Sequence, residues 1–217
     1  MNRNTIYQGD CLRLLPRVGT ETVDLILTDP PYGIRYSSRN GTTVAGDRHP
    51  YIWWLHEAAR VLKEDGGLLC FCRWDVLDAW RTAIQFADLT VRSCIVWDKQ
   101  SHGMGNTKQA FAPKHELCLW ATKKGFAFPA GRPADVIADN KVPSAHMVHP
   151  TQKPVKLMAS LIETTTKPGA LVLDPFAGSC TTAVAAIQTG RDYICMELER
   201  GYCNEGKLRV AQLLTTD

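Results

Sequence analysis

Residues 25–32 read Leu-Ile-Leu-Thr-Asp-Pro-Pro-Tyr. An apolar run of strand character ends there in a carboxylate (Asp29), two prolines (Pro30 and Pro31) and an aromatic ring (Tyr32). In an open parallel sheet, ligands bind beyond the carboxyl ends of the strands. Proline fixes φ and removes a donor, so the turn is stiff and keeps its carbonyls available. The set offers two acceptors, the Asp29 carboxylate and the Pro30 carbonyl, beside the flat ring of Tyr32. It suits a conjugated exocyclic amine such as that of adenine or cytosine. That amine delocalises its lone pair into the base and is a poor nucleophile. Two acceptors on its hydrogens favour a pyramidal nitrogen, through preorganised electrostatics and orientation. Tyr32 can stack on a base flipped from a duplex. The plainer reading of the same residues is a proline-rich turn capping a strand.

A second apolar strand also ends in Asp-Pro. Residues 171–182 read Leu-Val-Leu-Asp-Pro-Phe-Ala-Gly-Ser-Cys-Thr-Thr. Asp174, Pro175, Phe176, Ala177, Gly178 and Ser179 form a turn that opens a helix. Gly178 permits close backbone approach, and Thr181 or Thr182 can serve the helix start. Such a turn binds nucleotide-like ligands. It is not a phosphate loop, because no Gly-Lys-Ser/Thr follows, and it lacks the three glycines of the dinucleotide fingerprint. About twenty residues on, the next strand ends in Met196-Glu197-Leu198-Glu199. An acid at that tip can accept both hydroxyls of a ribose. Glu197 is the better placed of the two; an exposed acid at a strand end is the plain alternative. Near the N-terminus, Gly9-Asp10-Cys11 precedes Leu12, Leu14 and Leu15. Asp10 either accepts from an adenine amine or caps a helix.

These motifs need a scaffold that brings strand ends together. Strand-length apolar runs recur at Val23–Thr28, Gly67–Cys72, Ser93–Trp97, Leu117–Thr122, Leu171–Leu173 and Tyr193–Leu198. Several are continuous rather than alternating, as in strands buried on both faces. Helical spacing lies between them: Leu55, Ala58, Ala59 and Leu62; Leu77, Trp80, Ile84 and Ala87; Leu157, Met158, Leu161 and Ile162 after Pro154; Ala183, Val184 and Ile187; and the stretch Tyr202–Leu214. Alternating strands and helices predict an α/β fold with a doubly wound, mostly parallel sheet. Two stretches lack periodicity, Gly33–Pro50 and Gln100–Pro113, the second resuming from Gly125 to Pro150. Long irregular loops in a compact domain tend to be functional.

The chain has 217 residues, 45% hydrophobic and 22% charged, which fits one α/β domain. A net charge of +3 is too small to identify a polyanionic partner. Its distribution says more: Lys99 to Arg132 holds five lysines and one arginine against a single acid, Glu116. That stretch either contacts phosphates or is a solvated surface. The expected DNA-contacting cations are Arg35, Lys99, Lys108 and Lys114. No apolar run approaches the ~20 residues of a membrane span, and Met1 leads into a polar stretch rather than a signal peptide. The eight cysteines lack a framework spacing and read as reduced core thiols of a cytoplasmic protein. Cys70 and Cys72 share a strand face, but no second half of a metal site accompanies them, so no metal is expected.

The ordered set Gly9-Asp10, Asp29–Tyr32, His149-Pro150-Thr151-Gln152-Lys153-Pro154 and Asp174–Thr182 resembles the β-class amino-methyltransferases of DNA. In that class the catalytic tetrapeptide precedes the cofactor loop, the permuted order. The resemblance spans nearly the whole chain. It implies the Rossmann-like fold of the methyltransferases that use S-adenosylmethionine (SAM), in a single catalytic domain over residues 1–217. It implies SAM as cofactor, DNA as partner and transfer of a methyl group to an amine. Asp29, Pro30, Pro31 and Tyr32 would form the catalytic tetrapeptide. Asp10, Cys11, Asp29, Thr151, Lys153, Asp174, Pro175, Phe176, Ala177, Gly178, Ser179 and Glu197 would surround the cofactor. Thr151 and Lys153 would lie near its methionine end, where Lys153 could pair with the carboxylate; a surface lysine opening a helix is the other reading.

Two departures stand out. The family usually has glycine where this chain has Cys180; its Cβ either crowds the cofactor or, at a helix start, is tolerated as a small side chain. The stretch before the His-Pro-Thr-Gln-Lys-Pro motif is also short, leaving about residues 125–148 for target recognition. Readout would then be relaxed, or shared in a homodimer. Asp at the first tetrapeptide position resembles the adenine-N6 members more than the cytosine-N4 members, where Ser is commoner. RNA remains another substrate, and a non-catalytic subunit that binds SAM or DNA is the rival of another class.

Overall fold

Strands that are apolar on both sides demand cover on both sides, and the chain supplies it. The computed structural model describes residues 1–33, 47–103, 108–142 and 152–215. Its strands are β1 (Thr5–Gln8), β2 (Val23–Thr28), β3 (Leu62–Cys72), β4 (Thr90–Asp98), β5 (His115–Thr122), β6 (Val136–Ala138), β7 (Leu171–Asp174) and β8 (Asp192–Glu197). Its helices are α1 (Cys11–Leu14), α2 (Leu55–Val61), α3 (Leu77–Phe86), α4 (Val155–Thr165), α5 (Thr181–Gln188) and α6 (Arg200–Leu214). The strands form one sheet in the order β1-β8-β7-β2-β3-β5-β4-β6. All neighbours are parallel except β5, which is antiparallel to β3 and β4.

Side chains alternate between two cores. On β3, Leu68, Cys70 and Cys72 enter one core, and Leu69 and Phe71 enter the other. On β7, Leu171 and Leu173 face the first, and Val172 the second. Helices α1, α2 and α3 cover the first core, while α4, α5 and α6 cover the second. The small residues of α5 (Ala183, Ala185, Ala186) are fully buried, so this helix lies tight against the sheet. The doubly wound, mostly parallel sheet is as expected.

Three details differ from the sequence reading. Leu62 keeps its helical spacing but not a helical backbone: at ψ 135° it ends α2 and opens β3, paired with Val23. Sheet pairing overrides the periodicity there. Strands β1 and β6 were not anticipated. They span four and three residues and sit at the two edges of the sheet, too short and too exposed to leave an apolar signature. Strand β6 lies in the stretch 125–142, where Phe126 and Phe128 pack on Trp120. The described part of the expected recognition segment is therefore fastened to the sheet edge. Among the described residues, no helix is long and apolar enough to cross a membrane.

Candidate active site

The strand order makes β1, β8, β7 and β2 consecutive neighbours. Their carboxyl ends carry Asp10, Glu197, Asp174 and Asp29, in that order along one rim. The Gly9 amide donates to the Glu197 carbonyl at 2.8 Å, joining the first two tips. The Thr28 hydroxyl donates to Asp174 Oδ1 at 2.7 Å, joining the two Asp-Pro turns. Motifs about 150 residues apart in sequence thus become one cleft.

The β7–β8 half is held by neutral donors. Asp174 accepts from Thr28, from the Thr182 hydroxyl (2.5 Å) and from the Phe176 amide (3.1 Å). Burial pushes its carboxyl up to about 6, against the pull of these donors. Asp174 therefore pins the Pro175–Phe176 turn and is itself withdrawn from the cleft. The Ala177 amide donates to the Met196 carbonyl, and Arg209 donates to the carbonyl and hydroxyl of the buried Ser179. Glu197 accepts from the amides of Gly178 and Glu199, each at 2.7 Å. Burial raises its carboxyl, and one lone pair per oxygen remains for a hydroxyl. Glu199 is exposed, so Glu197 is the acid inside the cleft.

Asp10 accepts from the Leu12 amide at 2.9 Å and caps α1. Cys11, expected at the cofactor, is buried in the first core, and burial pushes its thiol up to about 12. It supports Asp10 from below rather than lining the cleft. Tyr51 was missed. Its ring stands edge-on to Phe176 at 5.9 Å, and the charge of Asp10 reaches its phenol. The only signal in sequence was its place at the end of the irregular Gly33–Pro50 loop. That loop closes where Gly33, at φ 84°, donates to Asp47 and lies so near Pro50 that a Cβ would come within 2.1 Å. Arg35, Thr151 and His149 lie outside the described residues.

Cys180 does not crowd the cleft. It adopts a left-handed φ of 60°, which explains the family preference for glycine. Its side chain is fully buried against Gly206 of α6, where an added Cβ would approach Sγ to 2.3 Å.

The β2 half is held by charges. Lys153 Nζ lies 2.5 Å from Asp29 Oδ2, 3.1 Å from Glu116 Oε2 and 3.4 Å from the Tyr32 hydroxyl. Tyr32 donates to Asp29 Oδ1. Lys99 Nζ lies 3.3 Å from Glu116 Oε1. Burial raises the Asp29 carboxyl, and Lys153 opposes that rise. Burial raises the Tyr32 phenol, with Asp29 adding to it. Burial also raises Glu116, but Lys153 and Lys99 outweigh it and hold this carboxyl low. The Lys153 ammonium persists against burial because two carboxylates face it. Lys153 is thus neither a surface lysine nor unmatched for a methionine carboxylate; Asp29 and Glu116 already engage it. Among the described residues, no donor reaches the Pro30 carbonyl. Glu116 was also missed, although it is the single acid of the Lys99–Arg132 stretch.

Strand β4 runs parallel to β2, so Lys99 emerges on the catalytic rim. Its side chain is only 15% exposed and is paired with Glu116, while Lys114 is paired with Asp98 at 3.1 Å. Lys108 and the fully exposed Phe111 stand outward on the same rim. Among the described residues, no group of three or more His, Cys, Asp or Glu could hold a metal ion.

The DNA methylase family model for N6 and N4 methyltransferases matches residues 23–132 and 133–208. The chain is a β-class DNA amino-methyltransferase. It is 39% identical over 209 residues to YubD of Escherichia coli K12, a protein named as a methylase, covering 94% of this chain and 88% of YubD. It is 30% identical to the DNA adenine methyltransferase YhdJ of the same strain, covering 95% of this chain and 82% of YhdJ. Among solved structures, the M1.HpyAVI–SAM complex superposes with a TM-score of 0.74 at 25% identity, covering 94% of this chain and 98% of that one. The cytosine-N4-specific PvuII DNA methyltransferase shares the fold, with a TM-score of 0.78 at 20% identity, over 96% of this chain and 86% of its own. The cofactor is SAM, and the cleft fits it: a buried acid for a ribose, an aromatic wall at Phe176 and Tyr51, and a turn of close backbone at Gly178.

Proposed function

We propose that this methyltransferase acts on the N6 amine of adenine in DNA. The observation that carries this reading is the Thr28–Asp174 bond, which holds the Asp29-Pro30 acceptors against the cofactor turn. SAM supplies an electrophilic methyl group on its sulfonium. Asp29 and the Pro30 carbonyl accept the two amine hydrogens and orient the nitrogen lone pair. Asp29 would take up the one proton that the amine nitrogen loses on methylation. Pro31 keeps the turn rigid, and Tyr32 supplies both a stacking face and the hydroxyl that steadies Asp29. Glu197 and Asp10 hold the ribose and adenine of the cofactor, with Phe176 as the wall. Asp174, Pro175, Ala177 and Ser179 shape the turn, and Lys153 stands beside it through its pairing with Asp29.

Adenine is favoured over cytosine by the Asp at the first tetrapeptide position and by the relative YhdJ, named for adenine. The fold shared with a cytosine-N4 enzyme keeps cytosine-N4 as the second reading. The duplex would lie on the catalytic rim, where Lys108 and Lys114 would meet phosphates; Arg35, outside the described residues, is the further expected contact. Lys99 is the weakest of these contacts, given its pairing with Glu116. A second copy of the chain is a further partner, checked by sedimentation, and the free thiols suit the reducing cytoplasm. The test is transfer of labelled methyl from SAM to duplex DNA, followed by digestion to nucleosides. N6-methyladenine is expected. N4-methylcytosine would select the second reading, and SAM binding without transfer would select a non-catalytic subunit.

A further inference from the structure

We propose that Glu116 is a positioning residue for methyl transfer: it shares the Lys153 ammonium with Asp29, so that Asp29 remains an open acceptor for the target amine. The inference rests on the assignment of Asp29 as the amine acceptor.

Strand β5 is antiparallel to its neighbours, so its first residues, not its last, reach the catalytic rim. Glu116 is the second residue of β5 and sits opposite Trp97 of β4, one strand further from Asp29 than β3. Only a long cation can connect the two carboxylates. Lys153 does so, lying 2.5 Å from one and 3.1 Å from the other while its ammonium rests 4.9 Å from the centre of the Phe71 ring. The two contacts are unequal. The bond to Asp29 is the shorter and an aligned hydrogen bond, whereas the 3.1 Å contact to the buried Glu116 Oε2 is an ion pair outside good hydrogen-bond geometry. Lys99 takes the other oxygen of Glu116. The cluster thus holds two carboxylates and two ammoniums, balanced in a poorly hydrated place where one unmatched charge is costly.

The consequence follows from competition for one cation. An ammonium bonded to Asp29 alone would cancel much of the charge that attracts the amine hydrogens. A second carboxylate with an unfilled lone pair lets Lys153 move off Asp29 as the amine arrives, without leaving any charge unmatched. The groups facing Asp29 are Lys153, Tyr32, Glu116, Cys70 and Cys72 of β3, Cys118 of β5 and Asp174 of β7. Of these, Lys153 and Tyr32 touch Asp29, Glu116 reaches it through the shared Lys153, and Lys99 stands one step further out, bonded to Glu116.

Two substitutions should move the pH profile in opposite directions. Glu116→Gln leaves Lys153 to Asp29 alone. The acid limb of the kcat–pH profile should shift to lower pH, and kcat at neutral pH should fall about tenfold or more. Lys99→Gln leaves Glu116 with more negative charge beside Asp29, so the acid limb should shift to higher pH. Glu116→Asp keeps the charge and should hold the limb near its wild-type position. SAM affinity should stay within about threefold throughout, because neither Glu116 nor Lys99 is assigned to the cofactor.

Limbs shifting in opposite directions with SAM affinity retained would support the inference. Two results would overturn it: wild-type kcat and limb in both variants, or limbs that do not move while SAM binding and thermal stability drop together. If Glu116→Gln does not fold, Lys99→Gln decides by the sign of its shift. Asp29→Ala separates the two levels. Turnover retained in Asp29→Ala removes the acceptor assignment itself; an inactive Asp29→Ala beside unmoved Glu116 and Lys99 variants removes only the role of Glu116.

Discussion

The two halves of the cleft hold their carboxylates by different means. On the β7–β8 side, Asp174 and Glu197 are fixed by hydroxyls and backbone amides, all neutral. On the β2 side, Asp29 is fixed by an ammonium that a second carboxylate also holds. Neutral donors position a group and leave its charge largely intact, which suits an acid that must hold a sugar through every turnover. A shared cation positions Asp29 and also makes its charge adjustable, which suits a group that must take up and release a proton. The difference predicts that the β2 side is sensitive in rate and the β7–β8 side in affinity and stability.

The largest expected effect is in rate. Asp29→Ala should lower methyl transfer by about 100-fold or more, by removing an acceptor matched to charge developing in the transition state. SAM affinity should stay within about tenfold, since the carboxylate is assigned to the target amine and its transition state rather than to the cofactor. Single-turnover methylation together with calorimetry checks both halves. Near-normal turnover would break the comparison at its first term.

Glu197→Ala should act the other way, weakening SAM binding by about 1.5–3 kcal/mol through loss of charge-assisted bonds to ribose hydroxyls. At saturating SAM its kcat should be less affected than that of Asp29→Ala. Unchanged affinity by calorimetry would move the ribose contact elsewhere.

Asp174 sharpens the comparison through pH. Burial, outweighing its hydroxyl and amide donors, pushes the folded carboxyl up to about 6, above the usual aspartate range. A carboxyl raised on folding stabilises most where it is protonated in both states, and that contribution is lost as pH rises through the folded value. The wild type should therefore lose stability between about pH 4 and pH 6 relative to Asp174→Asn, in which this titration is absent. The comparison of melting curves for the two proteins cancels the many other titrating groups. Parallel curves would mean that Thr28 and Thr182 keep Asp174 ionised throughout.

Much of this was legible because short motifs sit where strands end. Asp29, Asp174 and Glu197 each close an apolar run, and a parallel sheet sends such ends to one rim. What stayed hidden was reached through the antiparallel strand. Nothing local shows that β5 runs backward, so nothing local shows that Glu116 at its start faces Asp29. The pairing of Lys99 was hidden for the same reason: in sequence it is one of five lysines in a basic stretch, while in space it is half of a half-buried ion pair with Glu116. Tyr51 and β6 were hidden because they lie in or beside segments without periodicity, and β1 because it is short and half-exposed.

Cys180 gives the smallest expected effect, and it joins the cofactor turn to α6. Its left-handed φ of 60° is strained for any residue with a Cβ, by about 1 kcal/mol or more. Glycine there would relieve the strain. It would also empty the space that the thiol fills beside Gly206 and widen the unfolded ensemble, each unfavourable by a similar amount. Cys180→Gly should therefore change stability by no more than about 1 kcal/mol and leave SAM affinity unaltered, because the thiol points away from the cleft. Gly206→Ala alone should destabilise, since its new Cβ would lie 2.3 Å from Cys180 Sγ. The double variant should recover that loss, with the alanine methyl occupying the vacated space and favouring the helix over glycine by about 1 kcal/mol. A coupling energy near zero between the two sites would mean that α6 shifts to accommodate either residue. A coupling of about 1 kcal/mol or more would show that Cys180 is accommodated on the α6 side, by the absence of a side chain at position 206.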